Sequence, residues 1–368
     1  MANGVEELNV YFYPHSYLRD RHLDVIRGWN PKRVVNPELA RGRRGAQVSR
    51  EAALATVKKR SWKQRLPLPN VKMRPLALND DTFVYVWGGV MATGKFVVDL
   101  DNPYSLVGYN LGALQLWRPF FRRILLAPRC LEIRCLSLAC KKTLTIEFGA
   151  DVAEKARVCY PSAGINECCA PREFGERCRF LFVGTQFELK GGHALLDAFE
   201  RISRELPNVE LSIIAYVDED TEKRVARMRR VIVQEPVFSR EELFAKVYPN
   251  ADVLIHPTYV ESFGMVVLEA LAAGLPVIAT DVYAIREMVE DGINGILLKP
   301  PITVWDGVVP SRYFYEIERI KWHIRRTDMR TFVGELASAM ARVAVDPELR
   351  RRMSDASRQL FRIRMKRA

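Results

Sequence analysis

The chain has 368 residues and contains no apolar run of the eighteen or so residues that a membrane-spanning helix needs. Its first residues, MANGVEELNVYFYP, carry no basic stretch ahead of an apolar segment, so no secretory signal peptide is expected. A hydrophobic content of 48% with 27% charged residues is ordinary for a soluble enzyme. We therefore expect the chain to remain in the cytoplasm.

The seven cysteines do not follow the spacing of a zinc site. They fall within 49 residues, no Cys-x2-Cys pair occurs among them, and no histidine lies near them in the sequence. Neither a structural metal nor a cysteine nucleophile is therefore expected. Cys135 and Cys159 lie in apolar, strand-like runs and are predicted to be buried thiols. Disulfides among Cys168, Cys169 and Cys178, which lie in a predicted loop, stay open at this point.

Positive charge is concentrated in one segment of the chain. The formal net charge is +12, and residues 19–74 alone carry +12, whereas residues 179–368 carry only +1. The basic side chains of this segment include Arg41, Arg43, Arg44, Lys58, Lys59, Arg60, Lys63 and Arg65. Such a segment fits an anionic membrane surface, a polyanion or a phosphorylated acceptor, and a solvated face or basic loop is the alternative. No aromatic-interleaved basic motif supports nucleic-acid binding, so nucleic acid is not expected as a partner.

Length and the alternation of apolar and amphipathic runs predict two α/β domains. The first domain has predicted strands at 8–13, 81–86, 95–100, 130–135 and 157–160, predicted helices at 18–29, 113–121 and 138–142, and a further apolar run at 144–148. The second has predicted strands at 179–184, 209–217, 231–234, 253–257, 277–280 and 294–298, with helices at 221–228, 240–247, 285–290, 315–323, 331–345 and 347–364. The boundaries are 1–176, 177–345 and 346–368, the last being a basic helix that packs on the first domain or on anionic lipid.

The stretch 256–280, HPTYVESFGMVVLEALAAGLPVIAT, predicts the end of a buried strand, a loop, a short helix and the next strand. Ligands bind at the carboxyl ends of strands in open parallel sheets, where the loop 258–264 falls. Phe263 and Gly264 open the predicted helix, whose N–H groups and dipole favour an anion such as phosphate. Ser262 is the predicted N-cap of this helix.

Two carboxylates flank this predicted phosphate site. Glu269 lies on a helix that is otherwise Met, Val, Leu and Ala, and no charged residue lies one turn away on that helix. A buried carboxylate is costly without hydrogen bonds, so Glu269 is predicted to wait for a ligand. Glu261 stands eight residues earlier, just outside the helix N-terminus. Because a carboxylate repels phosphate, the pair predicts hydroxyl recognition at both ends of a nucleotide sugar.

Glu261-Ser-Phe-Gly followed by Glu269-Ala-Leu-Ala-Ala-Gly-Leu-Pro-Val-Ile-Ala-Thr resembles the E-x7-E stretch of the retaining GT-B glycosyltransferases of family 4. The resemblance covers residues 179–300. It implies that Glu269 binds the nucleotide ribose and that Glu261 contacts the donor sugar. The run TQFELKGGHALLDAFERI is similar to the family's loop in which a lysine, here Lys190, reaches the donor diphosphate. Many members have an arginine after the glycine, whereas this chain has Thr185.

The resemblance implies a GT-B fold, in which two Rossmann-like doubly wound domains face each other across a cleft. The donor would bind the second domain, and the acceptor the first. The implied reaction is hexosyl transfer with retention of anomeric configuration. Lys190 and the helix N-terminus would stabilise the leaving diphosphate. The donor-binding residues would be Gly184, Thr185, Lys190, Glu261, Ser262, Phe263, Gly264, Met265 and Glu269, with Lys190 and Glu261 in the catalytic roles.

The acceptor side is less clearly marked. His15, Asp101 and Asn102 are the candidates there, and the histidine that many family members carry at the end of the corresponding strand is absent. Asp99 and Asp101 form an Asp-x-Asp pattern, which suits a divalent metal in the GT-A class. Since a GT-B diphosphate site needs no metal, we expect neither a metal nor another cofactor.

The expected partners are a nucleotide-sugar donor and a glycan, lipid-linked or small-molecule acceptor, with peripheral contact to an anionic membrane surface on the inner face. Thr185 and the missing histidine also motivate an alternative from another class. In that reading the chain is a catalytically silent GT-B scaffold that binds a nucleotide or an anionic partner.

Overall fold

The computed structural model describes residues 8–14, 18–41, 54, 66–161, 165, 172–312 and 316–365. The chain divides into two compact units. The first comprises Met1–Ala46, Lys59–Gly164 and Ala368, and the second comprises Gln47–Lys58 and Ile165–Arg367. His15 and nearly all of the basic segment 42–65 lie outside the described residues.

The first unit is built on a five-stranded parallel sheet with the order β1-β3-β5-β6-β7. Its strands are β1 (Asn9–Phe12), β3 (Thr82–Trp87), β5 (Phe96–Leu100), β6 (Cys130–Cys135) and β7 (Ala156–Val158), and a second parallel pair joins β2 (Val71–Lys72) to β4 (Val90–Met91). The helices are Asp20–Gly28, Leu111–Leu126, Leu138–Phe148 and Ala150–Glu154, with 3-10 turns at Pro31–Arg33, Pro37–Arg41 and Pro103–Val107. Every residue of β3 and β5 is buried, as expected of parallel strands covered on both faces.

The winding of this sheet reverses between β1 and β3. After the first helix, Val34 forms a parallel bridge with Val10, and the Val35 N–H donates to the Val10 carbonyl at 2.9 Å. The chain then crosses to the other side of β1, where β3 pairs with it. A sheet wound in both directions is the Rossmann-like arrangement that the sequence predicted.

The described cysteines are free thiols. Cys130, Cys135, Cys140 and Cys178 are buried, and Cys159 is half-buried. Cys178 begins the strand Cys178–Gln186, so its assignment to a loop was wrong. Burial raises the pKa of the Cys130 and Cys178 thiols to about 12, which makes both unreactive at neutral pH. Cys168 and Cys169 lie outside the described residues.

The second unit contains a six-stranded parallel sheet with the order β10-β9-β8-β11-β12-β13. Its strands are β8 (Cys178–Gln186), β9 (Val209–Tyr216), β10 (Val231–Gln234), β11 (Val253–His256), β12 (Val277–Thr280) and β13 (Gly295–Leu298), and a hairpin of β14 (Trp305–Asp306) and β15 (Val309–Pro310) follows them in the chain. Its α-helices are Gly192–Glu205, Glu219–Ala226, Arg240–Glu242, Met265–Ala272, Ile317–Arg326, Arg330–Val345 and Pro347–Leu360. Shorter helical turns are Leu243–Val247, Tyr248–Asn250, Ile285–Glu287 and Phe361–Met365.

The position of β8 in this sheet creates a crevice. β9 and β10 extend to one side of β8, and β11 to β13 extend to the other. The loops that follow β8 and β11 therefore lie side by side at the carboxyl edge, which is the topological switch point where open α/β sheets bind ligands. Gly191 permits the close approach of these loops. Its φ is +79°, and a Cβ there would lie 2.1 Å from the Pro257 carbonyl oxygen.

The last long helix packs on the second unit. Ser354 and Ser357 donate to the carbonyls of Gly274 and Leu275, at 2.6 and 2.9 Å. Arg350 is buried and donates to the Val343 and Ala344 carbonyls that end the preceding helix. Across the described part of the chain, no helix has both the length and the hydropathy needed to cross a bilayer.

Candidate active site

An ion pair joins the two loops at the switch point. The Lys190 Nζ donates to Glu261 Oε2 at 2.7 Å and to the Val260 carbonyl at 2.9 Å. Gly184 lies under the lysine stem, because a Cβ there would come within 3.2 Å of Lys190 Cγ. Thr185 is half-buried near the end of β8. The structure thus brings together the two residues to which the sequence assigned catalytic roles.

The Glu261 carboxylate accepts hydrogen bonds on both oxygens. Oε1 accepts from the Ser262 N–H at 3.2 Å, and Oε2 lies 3.2 Å from His256 Nε2 as well as near Lys190. Burial by itself would raise the pKa of Glu261, but the Lys190 ammonium and the His256 hydrogen bond hold that pKa well below its usual range. Glu261 is therefore ionised at neutral pH, and it acts as a hydrogen-bond acceptor.

His256 is a site residue that the sequence analysis did not assign. It closes β11, and only 2% of its surface is exposed. Burial lowers the pKa of His256, so the ring is neutral at pH 7 and its Nε2 carries the proton that Glu261 accepts. Its Nδ1 has no hydrogen-bond partner among the described residues. A polar residue that ends an otherwise apolar strand, Val-Leu-Ile-His, was the available signal.

The helix beside this cluster runs from Met265 to Ala272. Its N-cap is Gly264, with φ +98° and no side-chain cap, so the prediction that Ser262 is the N-cap was wrong. A glycine is required there, because a Cβ would lie 2.6 Å from Ile285 Cδ1. No side chain caps the helix start, which lies beside the buried ring of Phe263. The first N–H groups of a helix and its dipole favour an anion.

Glu269 lies in the second turn of this helix and is only 6% exposed. Its Oε1 accepts from Arg240 Nε at 3.1 Å, and its Oε2 accepts from the Tyr248 hydroxyl at 2.8 Å. The expectation that this carboxylate lacks a partner within the protein was therefore wrong. Both partners come from the helical segment that precedes β11. Arg240 lies 29 residues before Glu269 and Tyr248 lies 21 residues before it, so the spacing along one helix could not predict either contact.

The acceptor-side candidates of the first unit have local roles. Asp101 accepts from the Tyr109 hydroxyl and from the Asn102 N–H, both at 2.9 Å. Burial raises the pKa of Asp101, although Arg21 and the Tyr109 hydrogen bond oppose that shift. Asn102 is fully buried and caps the Pro103–Val107 turn by accepting from the Tyr104 N–H. The structure leaves His15 undescribed.

The Asp-x-Asp pattern is engaged by protein groups. Asp99 accepts from the Tyr85 hydroxyl at 2.7 Å and pairs with Arg21 at 3.4 Å. Within the ranges that the structure describes, no three His, Cys, Asp or Glu side chains are grouped so that they could hold a metal ion. Asp99 and Asp101 thus have hydroxyl and guanidinium partners in this unit.

Comparison with known proteins adds to this geometry. Residues 177–304 match the family model described as glycosyl transferases group 1. The matched stretch contains Lys190, His256, Glu261 and Glu269, and it spans the complete six-stranded sheet of the second unit.

Curated relatives match part of the chain. It is 31% identical over 170 residues to the D-inositol 3-phosphate glycosyltransferase of Paenarthrobacter aurescens, covering 44% of this chain and 39% of that protein. It is 34% identical over 126 residues to the enzyme of the same name from an Arthrobacter species, covering 32% and 30%. The chain thus matches only between 30% and 39% of the length of these relatives.

Solved structures share the fold. The Anabaena HepE structure, determined with UDP and glucose, superposes with a TM-score of 0.58 at 15% identity, covering 97% of this chain and 95% of that one. TarM gives a TM-score of 0.54 at 12% identity over 78% and 52%. The predicted α/β fold of the GT-B class, with two Rossmann-like domains, is confirmed.

Proposed function

We propose that this protein is a glycosyltransferase of family 4 that transfers a hexose from a nucleoside diphosphate sugar with retention of anomeric configuration. The observation that carries the proposal is the Lys190–Glu261 pair at the switch point of a group 1 domain. The site combines a cation, a helix N-terminus, the half-buried carboxylate of Glu261 and the buried carboxylate of Glu269. This combination suits a diphosphate flanked by hydroxyl-bearing sugars. The HepE structure, which holds UDP and glucose, supports this class of donor.

Lys190 would stabilise the leaving group. As the bond from the anomeric carbon to the diphosphate breaks, its electron pair passes to the bridging phosphate oxygen. The acceptor hydroxyl forms the new bond from the same side, and its proton passes to the departing diphosphate. A preformed ammonium and helix N–H groups stabilise that developing charge without reorganisation. For this, the Lys190 Nζ exchanges Glu261 for a diphosphate oxygen, and the neutral His256 stays as the side-chain donor to Glu261.

The two carboxylates would recognise hydroxyls at opposite ends of the donor. Glu261 is ionised and lies in the loop after β11, so it accepts from hydroxyls of the transferred sugar. Glu269 is fixed by Arg240 and Tyr248, and it would accept from ribose hydroxyls. Because both partners of Glu269 hold its orientation, the ribose site is preorganised.

We propose that this chemistry needs neither metal nor another cofactor, since Lys190 and the helix N-terminus supply the positive charge that a divalent ion would supply elsewhere. The acceptor would be a glycan, a lipid-linked sugar or a small molecule bound by the first unit. The +12 charge of residues 19–74 suits a cytoplasmic protein that contacts an anionic membrane surface while it receives that acceptor. The match of the second unit to curated glycosyltransferases favours an enzyme over a silent scaffold.

Thermal-shift screening tests the proposal. The purified protein is heated with UDP, GDP, ADP and their common sugars, in magnesium and in EDTA. We expect one nucleotide to raise the melting temperature equally in both conditions, because ligand binding to the native state stabilises it. Stabilisation that requires magnesium would contradict the metal-free mechanism. No response to any nucleotide would contradict the donor assignment, and nucleotide binding without turnover of any donor sugar would favour the silent scaffold.

A further inference from the structure

A cavity in the second unit is separate from the Lys190–Glu261 pair. It has a volume of about 380 Å³ and is lined by the ends of β8 and β9, the first turns of the helices that follow them, Tyr259 and the helix Ile317–Arg326. Neither Lys190 nor His256 nor Glu261 lines it. Its volume falls within the roughly 300–1,000 Å³ typical of small-molecule sites.

Aromatic rings form part of the cavity wall, and their polar atoms are unused. Tyr216 and Tyr259 are only 7% and 2% exposed, yet among the described residues neither hydroxyl has a hydrogen-bond partner. The His193 ring packs edge-on against Phe187, with centroids 5.1 Å apart, and it lines the cavity as an exposed side chain. Buried hydroxyls are nearly always hydrogen-bonded. Two unused hydroxyls from two different elements therefore converge on one space.

Each carboxylate of the wall has an ionic or hydrogen-bonding partner within the protein. Glu188 lies between Lys321 and Arg325, at 3.2 and 2.8 Å. Asp197 pairs with Arg224 at 2.6 Å.

Asp218 in the same wall accepts from the Thr221 N–H at 2.9 Å and caps the helix Glu219–Ala226. Three carboxylates and two cations, Lys321 and Arg325, thus line the cavity, while Arg224 lies outside its wall. A phosphate or nucleotide would meet three carboxylates there, so an anionic ligand gains little from this wall.

We propose that this cavity binds a neutral saccharide unit. A sugar ring offers C–H faces that pack on aromatic rings, and hydroxyls that both donate and accept. The phenols of Tyr216 and Tyr259 and the neutral imidazole of His193 also donate and accept. The remaining lone pairs of Asp197 and Glu188 add acceptors for sugar hydroxyls. The ligand would be a saccharide separate from the donor, and this inference does not depend on nucleotide binding.

Saturation-transfer difference NMR and calorimetry of the full chain test the proposal, with methyl α-D-glucoside, methyl α-D-mannoside, methyl α-D-galactoside and N-acetylglucosamine as probes. We expect at least one probe to bind the wild type. Tyr216→Phe and Tyr259→Phe each remove one hydroxyl and should weaken that binding about three- to tenfold, and the double variant by at least about tenfold. Unchanged melting temperatures of the variants establish that they are folded.

Glu261→Gln is the control variant, because it alters the proposed donor-sugar site and leaves the cavity intact. We expect it to bind the probe as the wild type does. The proposal is overturned if no probe binds the wild type, or if the double tyrosine variant binds as tightly as the wild type. It is also overturned if Glu261→Gln alone abolishes binding, since the probe then occupies the donor site. Tighter binding of glucose 6-phosphate than of methyl glucoside would contradict the neutral ligand class.

Discussion

The Lys190 ammonium lies 2.7 Å from a carboxylate oxygen of Glu261, and this contact links the loops that follow the two adjacent central strands β8 and β11. Neither residue is more than one-fifth exposed. Breaking a buried pair by removing one partner leaves an uncompensated charge. The contact thus stabilises the protein without ligand. It also holds the Lys190 ammonium at the place where the proposed diphosphate would bind.

A double-mutant cycle measures this pair. Lys190→Met and Glu261→Gln should each lower the free energy of unfolding by about 1–3 kcal/mol, because each leaves the other residue without its charged partner. The double variant should lose less than the sum of the two, since neither charge remains. Urea unfolding of the four proteins gives the coupling free energy. A coupling near zero would mean that the two side chains do not interact in solution.

Substitution of Gly191 tests how closely the loops after β8 and β11 approach each other. Gly191→Ala places a methyl group against the Pro257 carbonyl and forces a non-glycine residue to φ +79°, so one of the loops must move. We expect a loss of about 2–4 kcal/mol and weaker nucleotide binding. Gly292→Ala is the matched control: its φ is +76°, but no atom lies within 4 Å of the added methyl group. It should lose only about 1 kcal/mol. Equal losses in urea unfolding would show that the loops are not in contact.

Burial of His256 gives the protein a pH-dependent stability. Burial lowers the pKa of His256 in the folded state, whereas in the unfolded chain its pKa is about 6.5. Below about pH 6.5 the unfolded state therefore binds a proton that the folded state does not bind. The free energy of unfolding falls as the pH is lowered. The slope is at most about 1.4 kcal/mol per pH unit for one histidine.

His256→Gln should flatten this slope between pH 6.5 and 5.5, as measured by urea unfolding at each pH. The pKa of His193 is also lowered by burial, so the wild type contains a second contribution of the same sign. His193→Gln is therefore the control that separates the two. Loss of stability from Glu261 begins at lower pH, below about 4.5, because the pKa of that carboxyl is depressed. An identical slope in wild type and His256→Gln would show that His256 is not buried as a neutral ring.

Substitution of Glu269 tests its proposed contact with the nucleotide ribose. Glu269→Gln keeps an acceptor for Tyr248 and removes the charge opposite Arg240. We expect nucleotide affinity to fall at least about tenfold by calorimetry, because a hydrogen bond to an ionised group contributes more than a neutral one. Tyr248→Phe is the comparison, since it frees one oxygen of Glu269 without changing its charge. Affinity that is unchanged in Glu269→Gln would remove the ribose assignment.

The sequence predicted most strands and helices of the second unit, because the patterns that specify them are local in the sequence. The bounds of the strand Val231–Gln234 were predicted to the residue. The loop and the helix after His256 were predicted from an apolar run that begins at a glycine and ends before Pro276. Lys190 and Glu261 were assigned through the family resemblance. Their contact itself depends on the strand order, which places β11 beside β8 although β9 and β10 intervene in the chain.

Long-range partners account for the errors. Glu269 was interpreted as unsatisfied because Arg240 and Tyr248 lie outside the range of helical spacing. Ser262 satisfied the composition rule for an N-cap, but the backbone turns at Gly264, where a side chain would meet Ile285. The run 144–148 continues the helix Leu138–Phe148, because its residues bury one face against neighbouring helices in a way that a short apolar run does not reveal.

Calorimetric titration of UDP, GDP and ADP in EDTA, with wild type and Lys190→Met side by side, tests the central claim most directly. The account predicts that wild type binds one of these nucleotides without metal. It also predicts that Lys190→Met binds that nucleotide at least about tenfold more weakly while it binds the corresponding nucleoside, which lacks the diphosphate, as well as wild type does. Equal nucleotide affinity in the two proteins, or no binding by wild type, would contradict it.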